Sequence, residues 1–329
     1  MAEPINAYNL YDSDMNKLKI SFIIPAYNEE ARIKTTIEEI LKSIPEGFDA
    51  EIIVVDHGSQ DKTREIVSEM SVPVMLHPGG TIASLRNFGV KHAVGDILVF
   101  VDADVLLTES WMHRFQEIAP SLASGKQILT GSWVSVPVNP NWIEKNWFKP
   151  LQKGSNTHIN SGHMIISKKL FDKIGGFNEE LETGEDFEIS MRAKSFGLDI
   201  VDDVQLVAVH EGYPQNIKEF FLRELWHGKG DAYTLYSLVT SKVAVVSLFF
   251  LCLHLMFLHT FLFSEKIILQ AFIAAAIFLI VMLVTIAKYR CATLKEIICN
   301  MFLYYIYFWA RSFSLMTLFS RKKPVKRER

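Results

Sequence analysis

Cysteine is scarce in this chain: Cys252, Cys291 and Cys299 all fall in the last third. None has metal-knuckle spacing, so a reducing compartment with no structural disulfide is expected. An excess of one charge is also missing. The formal net charge of -3 is too near neutral to point to nucleic acid. No G-x-G-x-x-G and no G-x-x-x-x-G-K-[ST] occurs, which argues against a dinucleotide fold and a P-loop. Met1 to Lys17 carries no apolar h-region, so no secretory signal is expected.

Long apolar runs are present, but only late. Of 329 residues, 49% are apolar, and the excess lies after about Val243. A soluble part followed by a membrane part is the expected organisation. Before Val243, four short apolar runs alternate with helical patterns: Ile20 to Ile24, Ile52 to Val55, Val72 to Leu76 and Ile97 to Val101. Ile33, Ile37, Ile40, Leu41 and Ile44 recur at helical spacing, and Asp61 sits where an N-cap should precede Ile66, Val67 and Met70. This alternation predicts an α/β, doubly wound, mostly parallel sheet.

Ligand sites of such sheets gather at the carboxyl ends of the strands. Those ends carry Pro25-Ala26-Tyr27-Asn28-Glu29, Asp56-His57-Gly58-Ser59 and Asp102-Ala103-Asp104. Two carboxylates one residue apart repel unless a cation lies between them, and hard oxygen ligands suit Mg2+ or Mn2+. Pro78 to Gly89 is the nearest approach to a phosphate cradle, with Arg86 able to pair with phosphate oxygens. Taken alone, it reads more readily as a loop entering a helix.

The stretches Pro25 to Glu30, Val54 to Asp61, Arg86 to Gly89, Asp102 to Asp104, Gly175 to Glu179 and Thr183 to Glu188 together resemble the serial motifs of glycosyltransferase family 2. The resemblance runs from about Ile20 to Gly230; His57 departs from it, standing where the family usually has a second Asp. It implies a GT-A type fold binding a nucleotide-sugar at the strand ends. Pro25, Ala26, Tyr27 and Glu29 would flank base and ribose, and Asp56 would hydrogen-bond the base. Arg86 would hold the nucleotide or its diphosphate. Asp104 would ligate the divalent cation, with Asp102 and Ala103 at the ribose or a metal-bound water. Asp186, after Glu185, matches the catalytic base. A single base opposite the leaving group implies inversion at the sugar carbon.

His210 ends another apolar run and is either a third metal ligand or a structural histidine. Trp133, Trp142, Trp147 and Phe148 would either stack on a sugar acceptor or pack under a loop. No Q-x-x-R-W motif is present.

Val243 to Phe263 and Ile267 to Ala287 would each span about 31 Å as helices, matching the bilayer core. Leu294 to Phe319 holds Asn300 and Arg311 among aromatics and is expected to lie in the interface. Basic residues at 288, 290 and 321–329 place the catalytic part and the C-terminus in the cytoplasm. The expected domains are a tail at 1–18, a catalytic domain at 19–235, a membrane domain at 236–320 and a basic tail at 321–329.

The expected function is an inverting transfer from a nucleotide-sugar, a UDP-sugar first, to a lipid-linked or polysaccharide hydroxyl at the membrane. A polyprenyl-phosphate acceptor is the alternative. Against it stand Leu106, where such relatives place a Gln, and the Glu185-Asp186 pair. A non-catalytic membrane scaffold with a transferase-like fold is the reading from another class; its mark would be a broken metal or base motif, and none is broken. A sugar nucleotidyltransferase would need a basic glycine-rich loop where Tyr27-Asn28-Glu29 stands.

Overall fold

The computed structural model describes residues 18–44, 47–132, 134–151, 158–231, 235–264, 266–289 and 293–316. All but residue 18 of the expected tail at 1–18, the expected tail at 321–329, Trp133, Arg290 and Cys291 lie outside them. The chain divides into two compact units. One holds the described residues up to Asn139 and from 158 to Tyr213; the other holds Pro140–Leu151 and the described residues from Pro214 onward.

The first unit follows the order β1 (Lys19–Ala26), α1 (Ile33–Lys42), β2 (Asp49–Asp56), α2 (Thr63–Glu69), β3 (Val74–Leu76), α3 (Ile82–His92), β4 (Ile97–Val101), β5 (Val105–Leu107), α4 (Glu109–Ala123) and β6 (Ile128–Gly131). It continues with β7 (His163–Ser167), α5 (Lys168–Ile174), α6 (Glu185–Ser195), β8 (Asp199–Asp202) and β9 (Ala208–His210). Among the described residues, seven strands form one sheet in the order β3-β2-β1-β4-β7-β6-β8. Only β7 runs antiparallel to its neighbours. β5 and β9 pair in a separate antiparallel ribbon, Val105 opposite His210.

Both sheet faces are buried, which explains the unbroken apolar strands. Phe22, Ile24, Val99 and Val101 pack with Ile37, Trp111 and Phe115. On the other face Ile23, Leu98 and Phe100 pack with Leu85, Phe171, Phe177 and Ile189. The doubly wound, mostly parallel α/β fold expected from the sequence is the one observed. Because β1, β2 and β4 run parallel, their carboxyl ends share one edge.

The second unit contains α7 (Ile217–Asp231), α8 (Leu235–Thr240), α9 (Lys242–Phe263), α10 (Ile267–Lys288) and α11 (Leu294–Met316). The units part at Tyr213 and Pro214. The reason is packing: Phe220 on α7 meets Trp147 edge-on at 5.1 Å, and Trp147 meets Tyr304 of α11 at 4.6 Å. Trp147 and Phe148 are therefore buried aromatics of the second unit, while Trp142 is 41% exposed. Each of α9 and α10 has 22 residues, with mean hydropathies of 2.2 and 3.0, long and apolar enough to cross a membrane. Much of their apolar surface faces outward, including Phe261, Phe263, Ile268 and Phe272. Cys252 and Cys299 are free thiols.

Candidate functional site

Two loops at the shared strand edge are laced together. Asn28 N donates to Ser59 Oγ at 2.9 Å, Glu29 N to Thr63 Oγ1 at 2.7 Å, and Gln60 N to Asn28 Oδ1 at 2.8 Å. Glu30 N donates to Asp61 Oδ2, and Asp61 also accepts from the first residue of α2, Thr63. Asp56 lies fully buried beneath, accepting from Gly58 N and Ser59 N at 2.9 Å each. Its carboxylate organises its own loop. Pro25, Ala26 and Ala103 are buried backbone positions, and Thr36 Oγ1 donates to the Ala103 carbonyl at 2.8 Å. Tyr27 is 54% exposed and meets the His57 ring edge-on at 5.7 Å. An aromatic surface open to a base or sugar thus stands on a fixed rim.

The acidic residues after β4 have different neighbours. Asp102 Oδ1 accepts from Arg86 Nη2 at 2.6 Å. Asp104 Oδ1 lies 3.6 Å from His210 Nε2, brought there by the β5–β9 pairing. Both carboxylates lie against glycine: a Cβ on Gly162 would overlap Asp102 Oδ2, and one on Gly212 would overlap Asp104 Oδ2. Sequence reasoning missed both glycines, because neither belongs to a motif and each meets its carboxylate only through the fold.

Asp104 and Glu29 are each biased toward the protonated form. Burial raises Asp104 first, with Asp102 adding repulsion and His210 opposing. Glu29 is pushed up to about 7, by burial first and then by Asp104. Glu29 Oε2 and His210 Nδ1 are buried without a hydrogen-bond partner. Among the described residues, no group of three or more His, Cys, Asp or Glu side chains is arranged around a common metal position. The donor set still fits a hard divalent cation, because crowded, desolvated carboxylates beside an imidazole gain from positive charge.

Arg86 does not hang free in a loop. It sits on α3, only 1% exposed, and spans Asp102 and Glu185, the latter through Nη1 at 2.9 Å. Ser161 Oγ donates to the same Glu185 oxygen at 2.8 Å. The guanidinium therefore ties the end of β4 to the start of α6. A buried arginine with two carboxylate partners is compensated in charge and fixed in orientation, although its Nε has no hydrogen-bond partner. Asp186, the next residue, accepts from Phe187 N at 2.7 Å. Its carboxyl is pushed up to about 6 by burial and then by Glu185, with the Phe187 N–H and Arg86 opposing. Such a group exchanges a proton near neutral pH, as a general base must.

Two further motif residues act on each other. Asn87 Nδ2 donates to the Phe177 carbonyl at 2.8 Å, and Asn87 Oδ1 accepts from Phe177 N at 2.9 Å. His163, unremarked in the sequence, is fully buried beside Val101 and accepts from Trp111 Nε1 at 2.7 Å. Burial pushes it down to about 4, so it is neutral.

Known proteins resemble this chain at several levels. A glycosyltransferase named AglE from Haloferax volcanii is 24% identical over 225 residues, covering 64% of this chain and 72% of that protein. A dolichol-phosphate mannosyltransferase from Pyrococcus furiosus is 31% identical over 170 residues, but these cover 49% of this chain and 45% of that one. In structure, the mannosyltransferase PcManGT from Pyrobaculum calidifontis, solved with GDP-Man and Mn2+, superposes with a TM-score of 0.55 at 14% identity. That match covers 94% of this chain and 93% of the other, and it speaks to fold alone. Residues 21–175 match the family model described as glycosyl transferase family 2. Set on this sheet, those residues carry a glycosyltransferase family 2 domain.

Proposed function

We propose that this chain catalyses an inverting transfer of a sugar from a nucleotide-sugar, a UDP-sugar first, to a hydroxyl of a lipid-linked or polysaccharide acceptor. The observation that carries this reading is the Asp102–Arg86–Glu185 bridge, which fixes Asp186 in the same unit as the strand-end carboxylates. Asp186 takes the proton from the acceptor hydroxyl as its oxygen attacks the sugar carbon. The bond to the nucleoside diphosphate breaks from the opposite side, so configuration inverts. Tyr27 and the laced rim hold the nucleotide. Asp104, with Asp102 and His210, is the set that would hold Mg2+ or Mn2+. Such an ion supplies charge neutralisation for the departing diphosphate.

α9 and α10 support a membrane anchor. Read as two crossings, they return the chain to one side, and Lys288 with the basic residues of the tail puts that side in the cytoplasm. In this reading α11 lies at the interface. Anchoring raises the effective concentration of an amphiphilic acceptor. A polyprenyl-phosphate acceptor is the second reading, favoured by the names of the Pyrococcus relative and of a dolichyl-phosphate beta-glucosyltransferase, the latter 33% identical over 107 residues.

The test is a thermal-shift screen of UDP-, GDP- and dTDP-sugars with and without divalent ion, followed by product analysis with both acceptor classes. Stabilisation by one donor and a β-linked product from an α-linked donor are expected. A retained anomeric configuration would overturn the single displacement.

A further inference from the structure

Residues 158–161, just before β7, lie along the first turns of α6 and are stitched to it. Ile159 N donates to Ser190 Oγ at 3.2 Å, and Ser190 Oγ donates to the Asp186 carbonyl at 2.7 Å. Ser161 Oγ donates to Glu185 at 2.8 Å. Burial alternates along the stretch: Ile159 and Ser161 are buried, whereas His158 is half-buried and Asn160 is exposed. Two side chains are thus turned outward beside the helix start that carries Asp186.

Phe187 follows Asp186 and is 52% exposed, with the His158 ring edge-on at 5.7 Å. A large flat side chain kept open to solvent beside an aromatic neighbour offers a stacking face. Asn160 is anchored too. Its Oδ1 accepts from Gly162 N at 2.7 Å, which turns the anchoring over to the oxygen and leaves the amide nitrogen as a donor. Gly162 in turn meets the Asp102 carboxylate. The stretch therefore runs from a strand-end carboxylate to the start of α6.

Charge selects among acceptors here. Glu185 and Asp186 stand side by side, and Arg86 already spans Asp102 and Glu185. Burial pushes His158 down, so its ring brings no positive charge at neutral pH. A phosphate anion arriving at Asp186 meets carboxylates whose guanidinium is already committed. A neutral ring bearing hydroxyls meets a flat apolar face, an amide donor and a base.

We propose that Phe187 and Asn160 form an acceptor subsite and that the acceptor hydroxyl belongs to a sugar ring. The apolar face of that ring lies on Phe187, and a neighbouring hydroxyl accepts from the Asn160 amide. This rests on reading Asp186 as the base of the transfer, and it decides against polyprenyl phosphate as acceptor.

The full chain, purified in detergent, is given the donor found by thermal shift. The acceptors offered are polyprenyl phosphate and the methyl glycosides of glucose, galactose, mannose and N-acetylglucosamine. Transfer is followed by mass spectrometry, and glycoside binding by saturation-transfer NMR. At least one glycoside is expected to bind and to accept sugar. Phe187→Ala should raise its KM about tenfold or more while donor-induced thermal stabilisation stays. Phe187→Tyr should keep the wild-type KM and Phe187→Leu should not, a split that simple apolar packing would not give. Asn160→Asp keeps the oxygen that Gly162 N needs, loses the N–H donors, and should raise the KM as well. An unchanged KM in folded Phe187→Ala overturns the subsite; if that variant does not fold, Phe187→Leu carries the same test. Glycosides neither bound nor used also overturn it, and the transferase reading then stands if polyprenyl phosphate accepts. Glycosides bound through Phe187 with no donor bound or used sink only the transferase reading.

Discussion

Gly212 passes so close to Asp104 that the position of a β-carbon there is already taken by the carboxylate. The Glu211 N–H, one residue earlier, donates to the Asp104 carbonyl at 2.8 Å. The strand end and the chain after β9 are thus held together by backbone, and the carboxylate has one place to go. Gly212→Ala should push Asp104 aside, costing about 1–3 kcal/mol of stability by overpacking. Transfer should fall by more than the stability loss explains. Denaturant unfolding beside steady-state kinetics checks this, and an alanine variant with wild-type kcat would refute it.

Asp186→Asn should retain donor binding while kcat falls by about 10²–10⁴, the range for loss of a general base. In the wild type, the carboxyl titrating at about 6 must be ionised to act, so kcat should drop as pH falls below about 6. The stability effect has the opposite sense. A carboxyl raised by folding favours the folded state when protonated, so this contribution is present below about 4 and lost as pH rises through about 6. The asparagine variant should lack both dependences, as read by pH–rate profiles and by unfolding at several pH values.

Replacing Arg86 with methionine leaves Asp102 and Glu185 without their shared cation. Breaking a buried pair from one side costs about 3–5 kcal/mol. Arg86→Lys should restore little, because one ammonium cannot fork to both carboxylates. Urea unfolding midpoints measure this.

Asn87→Ala removes two hydrogen bonds to the Phe177 backbone and should destabilise by about 1–3 kcal/mol. Since Asn87 approaches neither Asp104 nor Asp186 in any hydrogen bond described, kcat at permissive temperature should stay near wild type. Comparing the unfolding midpoint with kcat separates the two effects.

Chelation provides a fourth measurement at the site. Donor-induced thermal stabilisation should disappear in excess chelator and return with Mn2+ or Mg2+. Asp104→Asn should lose that response, whereas a donor shift unchanged by chelator would remove the metal role given to Asp104.

The strands β1, β2 and β4 were legible because both sheet faces bury them, leaving continuous apolar runs. β7 was not, since it carries the buried polar His163, whose partner Trp111 lies 52 residues away. The acidic motifs were readable as a set, but their division of labour was not. Nothing local tells that Asp56 would spend its carboxylate on its own loop, or that Arg86 would find partners 16 and 99 residues away. The alternatives for Trp147 were resolved by tertiary packing alone, which sets it between Phe220 of α7 and Tyr304 of α11.

The cross-stitching of Asn28, Glu29 and Glu30 to the segment from Ser59 to Thr63 bears on how a nucleotide would arrive. A cleft wall whose amides are already committed to one another has little disorder left to surrender on binding. Affinity there would depend on fit against Tyr27 rather than on the closing of a floppy flap, and recognition would be fast and shape-selective.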